Sequence, residues 1–127
     1  MIMKIMLVDD ASFIRMSLEK ILNESEYDFE YIEAGDGIQA VDKYKIYSPD
    51  IVFMDISMPN MDGIEAVKKI KAYDKDAVIV MCSSLGYQEK VLDAINAGAS
   101  DFIVKPYKPE QIVNALKMAL QRKNKNQ

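Results

Sequence analysis

Apolar residues gather in short runs at positions 5–8, 51–54, 77–82 and 102–104, and each run is continuous rather than alternating. Strands buried on both faces read this way, because neither side of the sheet meets water. Positions 29–33, Phe-Glu-Tyr-Ile-Glu, alternate instead and predict an exposed edge strand. Between these runs apolar residues recur at helical spacing. Ile14, Leu18, Ile21 and Leu22 mark a first helix, and Ile38, Val41 and Tyr44 a second. Ile64, Val67 and Ile70 mark a third, Val91, Leu92 and Ile95 a fourth, and Ile112, Val113, Leu116 and Leu120 a fifth. Asp36 and Asp62 stand where the second and third helices need N-caps. Gly98 stands where the fourth should close, and Pro109 near the first turn of the fifth.

Strands alternating with helices five times predict an α/β fold of the doubly wound (βα)5, flavodoxin-like kind, a parallel sheet with helices on both faces. Right-handed crossovers leave few topologies, and the expected strand order is 2-1-3-4-5. The 127 residues fit one domain. That domain is expected to span 1–121, with 122–127 a polar C-terminal tail that frays.

Composition narrows the function. Half of the residues are hydrophobic and 28% are charged, as in ordinary globular proteins. The net charge of −4 and pI near 4.8 argue against nucleic acid as a partner, since phosphate backbones demand a basic face. There is no histidine, which excludes imidazole-dependent nucleophile pairs and His-ligated zinc. The one cysteine, Cys82, cannot form an internal disulfide and reads as a buried apolar residue. Acids at positions 9 and 10 interrupt any signal-peptide core, and the longest apolar run is far short of a membrane span. The expectation is a soluble, cytoplasmic, monomeric protein without membrane insertion.

In such sheets ligands bind beyond the C-terminal ends of the strands. That rule sorts the 20 acidic residues. Asp9 and Asp10 close the first strand and Asp55 the third, whereas Asp50, Asp76 and Asp101 precede strands and read as solvated loop acids. With the first and third strands adjacent, Asp9, Asp10 and Asp55 converge. One like-charge pair at 4 Å costs about 4 kcal/mol at an effective dielectric of 20. A cation between them removes that penalty, and hard oxygen donors without His or Cys suggest Mg2+. A helix cap, made by Asp10 or Ser12, is the competing reading of the first pair. Ser83 follows the fourth strand and Lys105 the fifth. Taken singly these are a turn residue and a surface lysine. Together with the acids they supply a donor and a positive charge for phosphoryl oxygens.

Leu7-Val8-Asp9-Asp10, Met54-Asp55-Ile56-Ser57-Met58-Pro59, Asp62-Gly63, Cys82-Ser83-Ser84 and Phe102-Ile103-Val104-Lys105-Pro106 form a specific set. On these motifs residues 4–120 resemble the receiver domains of two-component response regulators, in particular the single-domain chemotaxis regulators (CheY-like), themselves a standard example of the 2-1-3-4-5 order. The resemblance implies that Asp55 is the phosphoacceptor. It implies Mg2+ held by Asp10, Asp55 and the backbone carbonyl of Ser57, with Asp9 acting through water. Lys105 would contact the phosphoryl group, Ser83 would move toward it, and Phe102 would be the aromatic that follows. The Lys105–Pro106 bond would be cis, where base rates alone favour trans. The phosphoryl donor would be a histidine kinase (CheA-like), and self-catalysed hydrolysis would reset the domain. Output would pass by protein contact to a flagellar motor switch protein or a phosphatase, through the fourth helix, fifth strand and fifth helix. Tyr87, Lys90, Tyr107 and Lys108 are candidate contact residues.

The segments Asp10-Ala11-Ser12-Phe13-Ile14-Arg15-Met16 and Cys82-Ser83-Ser84-Leu85-Gly86-Tyr87-Gln88 point to one branch of the chemotaxis regulators. Ser84 stands where alanine is common in the family and narrows access to the phosphate. Phe102 replaces the tyrosine of some members and cannot donate a hydrogen bond. Three other functions remain open from sequence: a stand-alone phosphorelay receiver, a flavodoxin-like electron carrier and a Mg2+-dependent phosphatase with an aspartyl nucleophile. The carrier would need a hydroxyl- and glycine-rich phosphate loop where Asp9-Asp10 stands. The phosphatase commonly carries a second acid where Ser57 stands.

Overall fold

The structure is a computed structural model that describes residues 2–84 and 89–125. The elements alternate as expected: β1 (Met3–Val8), α1 (Ser12–Asn23), β2 (Phe29–Ala34), α2 (Gly37–Tyr47), β3 (Ile51–Asp55), α3 (Gly63–Tyr73), β4 (Ile79–Ser84), α4 (Glu89–Ala97), β5 (Asp101–Lys105) and α5 (Pro109–Lys125). All four strand pairings are parallel and the order is β2-β1-β3-β4-β5.

The continuous apolar runs explain why the sheet lies in the middle. Successive residues point to opposite faces, so each central strand feeds two cores. Met6, Val8, Val52 and Met54 enter one cluster, closed by Ala40, Val41, Ala66, Val67 and Ile70 of α2 and α3. Ile5, Leu7, Ile51 and Phe53 enter the other, closed by Leu18, Leu22, Ile112 and Leu116 of α1 and α5. Truncating Phe53, which is fully buried, would cost about 3–5 kcal/mol.

Asp36 caps α2, its Oδ1 accepting from Gln39 N at 2.8 Å, and Asp62 caps α3 by accepting from Glu65 N at 2.9 Å. Gly98 ends α4 with φ of 115°, donating to Ile95 O at 3.0 Å.

Three expectations need correction. Neither Asp10 nor Ser12 caps α1. Ala11 holds the N-cap position without a side-chain bond, and its N–H goes to Asp9 Oδ1 at 2.9 Å, so the first acid is spent on the turn before the helix. The apolar marks of α4 do not all face the core: Leu92 and Ile95 are 67% and 44% exposed and only Ala94 is buried. The expected boundary at 122 falls inside a helix, because α5 runs to Lys125, and Lys123 Nζ lies 3.8 Å from Asp50 Oδ1. Among the described residues no helix is long and apolar enough to cross a membrane.

Candidate functional site

Four strand ends converge at the C-terminal edge of the sheet. The β1–β3 and β3–β4 registers bring Met54 beside Val8 and Asp55 beside Cys82, so Asp9 and Asp55 come together by strand pairing alone. Asp9 and Asp55 are buried, while Asp10 is exposed. One carboxylate oxygen from each of the three lies within 4.8 Å of the others. Lys105, delivered by β5, reaches back across β4 and places Nζ 2.7 Å from Asp9 Oδ2 and 3.2 Å from Asp55 Oδ1. Ser83 is buried at the end of β4, its hydroxyl donating to Ser84 O at 3.2 Å. The result is a cleft of about 260 Å3 lined by Asp9, Asp10, Asp55, Ser57, Ser83, Ser84 and Lys105, with Ala11 and Ile14 on its wall. A larger cleft of about 410 Å3 lies between α3 and α4. Its lining mixes scattered acids and lysines, so size alone does not mark the chemistry.

Burial pushes the Asp55 carboxyl up to about 6, with Asp9 adding to the rise and Lys105 opposing it. For Lys105, burial works against the ammonium, but the hydrogen bond and charge of Asp9 and the charge of Asp55 outweigh it and hold the pKa above the ordinary lysine value. One half-buried ammonium therefore serves two buried carboxylates, and the exposed Asp10 adds a third negative charge beside them. The donor set is all oxygen and carries surplus negative charge, which fits a small hard cation such as Mg2+.

Two other groups shape the cleft. Arg15 on α1 donates from Nη1 to Asp9 O and pairs through Nε with Glu33 at 2.9 Å, tying the end of β1 to β2. Gly63 sits so close beneath Asp55 that a Cβ there would fall 2.0 Å from Asp55 O, and its N–H bonds Ile56 O at 2.7 Å. Glycine is required by this approach of α3 to the end of β3.

The model of the response regulator receiver domain family matches residues 5–117. The chain belongs to that family. It is 50% identical over 117 residues to the chemotaxis protein CheY of Bacillus subtilis, covering 92% of this chain and 97% of that one. It is also 50% identical over 113 residues to CheY of Thermotoga maritima, covering 89% and 93% respectively. Among solved structures, it superposes with a TM-score of 0.86 and 35% identity on a chain of the CheX–CheY–BeF3–Mg2+ complex from Borrelia burgdorferi, over 93% of this chain and 89% of that one.

This receiver places the expected site residues as follows. Asp9, Asp10, Asp55, Ser57, Ser83 and Lys105 share one cleft, and the Lys105–Pro106 bond is cis. Phe102 lies half-buried on β5 against the α2–α3 core, in register with Met81, at the start of the strand that ends in Lys105. Lys90 lines the separate cleft between α3 and α4, and Lys108 is exposed. Tyr87 lies outside the described residues. Tyr107, another candidate contact residue, is only partly exposed. Its ring packs on the α1–α5 core, and its hydroxyl is buried without a hydrogen-bond partner, facing the Cys82 thiol. Sequence position alone does not reveal that packing. Cys82 is fully buried as expected, and burial pushes its thiol up to about 12.

Proposed function

We propose that this receiver accepts a phosphoryl group on Asp55 from a histidine kinase and signals by phosphorylation-dependent protein binding, most specifically in chemotaxis toward the flagellar motor switch. The observation that carries the proposal is the buried Asp55 carboxylate, 3.2 Å from Lys105 Nζ and within reach of Asp9 and Asp10. With its pKa near 6, Asp55 is still mostly ionised at neutral pH and able to attack phosphorus. Its oxygen forms the new bond to phosphorus as the bond from phosphorus to the donor imidazole nitrogen breaks, and the electron pair leaves with the imidazole. Lys105 then exchanges part of its pairing with Asp55 for the phosphoryl oxygens, and Ser83 Oγ turns from Ser84 O to donate to them. Asp10, Asp55 and the Ser57 carbonyl would hold Mg2+, with Asp9 acting through water, and the ion would neutralise charge on the phosphoryl oxygens. The movement of Ser83 vacates space for Phe102, biasing a two-state equilibrium.

A phosphatase reading lacks an acid two residues beyond Asp55, where Ser57 stands. A flavin carrier would have to seat its phosphate against Asp9 and Asp10. The Borrelia complex contains CheX, which supports protein partners for the output of this chain as well.

The test is intact mass after rapid quench, with acetyl phosphate as donor, in Mg2+, in chelator and with Asp55→Asn. A Mg2+-dependent gain of one phosphoryl group that vanishes in the variant is expected. No gain from acetyl phosphate or from a phosphorylated histidine kinase would sink the proposal. Phe102→Ala should take up phosphate normally yet bind a motor-switch peptide as the unphosphorylated protein does.

A further inference from the structure

We infer that Asp36 is a positioning residue for the cation site: through Asn60 it latches the loop that carries Ser57. This rests on the receiver reading above, in which the Ser57 carbonyl completes the metal ligands.

Asp36 does more than cap α2. Oδ1 accepts from Gln39 N, the ordinary capping bond, but Oδ2 accepts from Asn60 Nδ2 at 2.7 Å, across 24 residues of chain. The other capping aspartate is the contrast. Asp62 is exposed, and among the described residues its carboxylate accepts only the capping bond from Glu65 N. Asp36 is 7% exposed, and the Gln39 N–H and then the Asn60 amide hold its carboxyl below the ordinary range, so it stays ionised and accepting.

A second contact runs beside the first. Gly37 N donates to Met61 O at 3.0 Å, and a Cβ on Gly37 would lie 2.4 Å from that oxygen. Only glycine lets the start of α2 come so close. Asn60 itself sits at φ of 68°, a left-handed conformation that asparagine tolerates better than most residues. The loop between β3 and α3 is thus held at both ends. At one end Ile56 donates to Cys82 O at 3.1 Å and accepts from Gly63. At the other, Asn60 and Met61 are held by Asp36 and Gly37. Ser57 lies on the span between. Releasing the far anchor leaves its carbonyl free to wander, and a ligand that must be ordered on binding lowers metal affinity.

The experiment measures Mg2+ affinity of the whole chain by calorimetry, together with the urea midpoint. Asp36→Ser keeps a capping hydroxyl for Gln39 N but is too short to reach Asn60. Asn60→Ala removes the other half of the latch and leaves the cap intact. Each should weaken Mg2+ binding about tenfold, the lower end for partners that orient metal ligands. The double variant should lose no more than either single one, because both break one contact. Tyr44→Phe, which weakens the fold from the opposite edge of the sheet, is the stability control and should bind Mg2+ as the wild type does. Wild-type affinity in both latch variants, or losses that multiply in the double variant, overturns the latch while leaving the receiver reading in place. No Mg2+ binding by the wild type overturns the latch and the metal part of the receiver reading together.

Discussion

The two edges of the sheet use the same residue type in opposite ways. At the N-terminal edge three aspartates each have a donor of their own. Asp50 accepts from Lys4 N at 2.8 Å, Asp74 from Tyr44 OH at 2.6 Å, and Asp101 from Phe102 N at 2.8 Å. At the C-terminal edge Asp9 and Asp55 share one ammonium, with the exposed Asp10 carboxylate beside them. The first edge is arranged for stability. The second stores unbalanced charge that a metal and a phosphoryl group can use, and the fold carries the cost of that imbalance until they arrive.

Removing the cation at each edge should expose the contrast most strongly. Lys105→Ala leaves Asp9 and Asp55 buried without a counter-charge and should lower metal-free stability by about 3 kcal/mol in urea titrations, with much of it restored by Mg2+. Lys123→Ala, at the far edge, should change stability by less than about 0.5 kcal/mol. An equal loss in both would mean that the two edges do not differ.

Metal should act on one edge alone. Mg2+ at a hundred times its Kd should stabilise the wild type by about 2.7 kcal/mol. Asp10→Asn and Asp55→Asn should abolish that gain in thermal melts, and Asp50→Asn should keep it.

The pH dependence should have opposite signs at the two edges. The folded-state pKa of Asp55, about 6, lies above the unfolded carboxylate's. Its contribution is therefore fully present below about 3.9, the unfolded value, and is lost as pH rises through about 6. Asp74 is held below its ordinary value, first by the Tyr44 hydrogen bond, so its contribution is present above about 3.9 and lost as pH falls through its folded value. In metal-free protein Asp55→Asn should remove a stability loss between pH 4 and 7 that Asp50→Asn leaves in place.

Tyr44→Phe should cost about 1 kcal/mol at pH 7, less than the loss at Lys105. That loss should shrink in acid, once Asp74 is protonated. A loss independent of pH would show that the hydroxyl acts by packing rather than by its bond to the carboxylate.

Most of the fold was legible because the sheet is buried on both faces. Continuous runs such as 51–54 leave no amphipathic alternative, and Asp36, Asp62 and Gly98 punctuate the helices by local chemistry. What pattern alone misread were elements whose surroundings decide. Leu92 and Ile95 have helical spacing whether or not anything covers them. Arg122 and Lys123 look like a tail until Asp50 is found beside α5. Tyr107 looks like surface until the chain turns it onto the α1–α5 core.

For the site the division is equally physical. The sequence by itself determined which chemistry was available: three aspartates, a serine and a lysine at strand ends, with no imidazole and one inert thiol. Strand alternation and the rule for parallel sheets were enough to put them at one edge. Only the tertiary structure decided how they share charge: that Lys105 spans Asp9 and Asp55, that Arg15 ties down the end of β1, and that Asp36 reaches Asn60. Those contacts join residues from 6 to 96 positions apart, and no local pattern records such distances, because they are set by how strands pair and loops close over them.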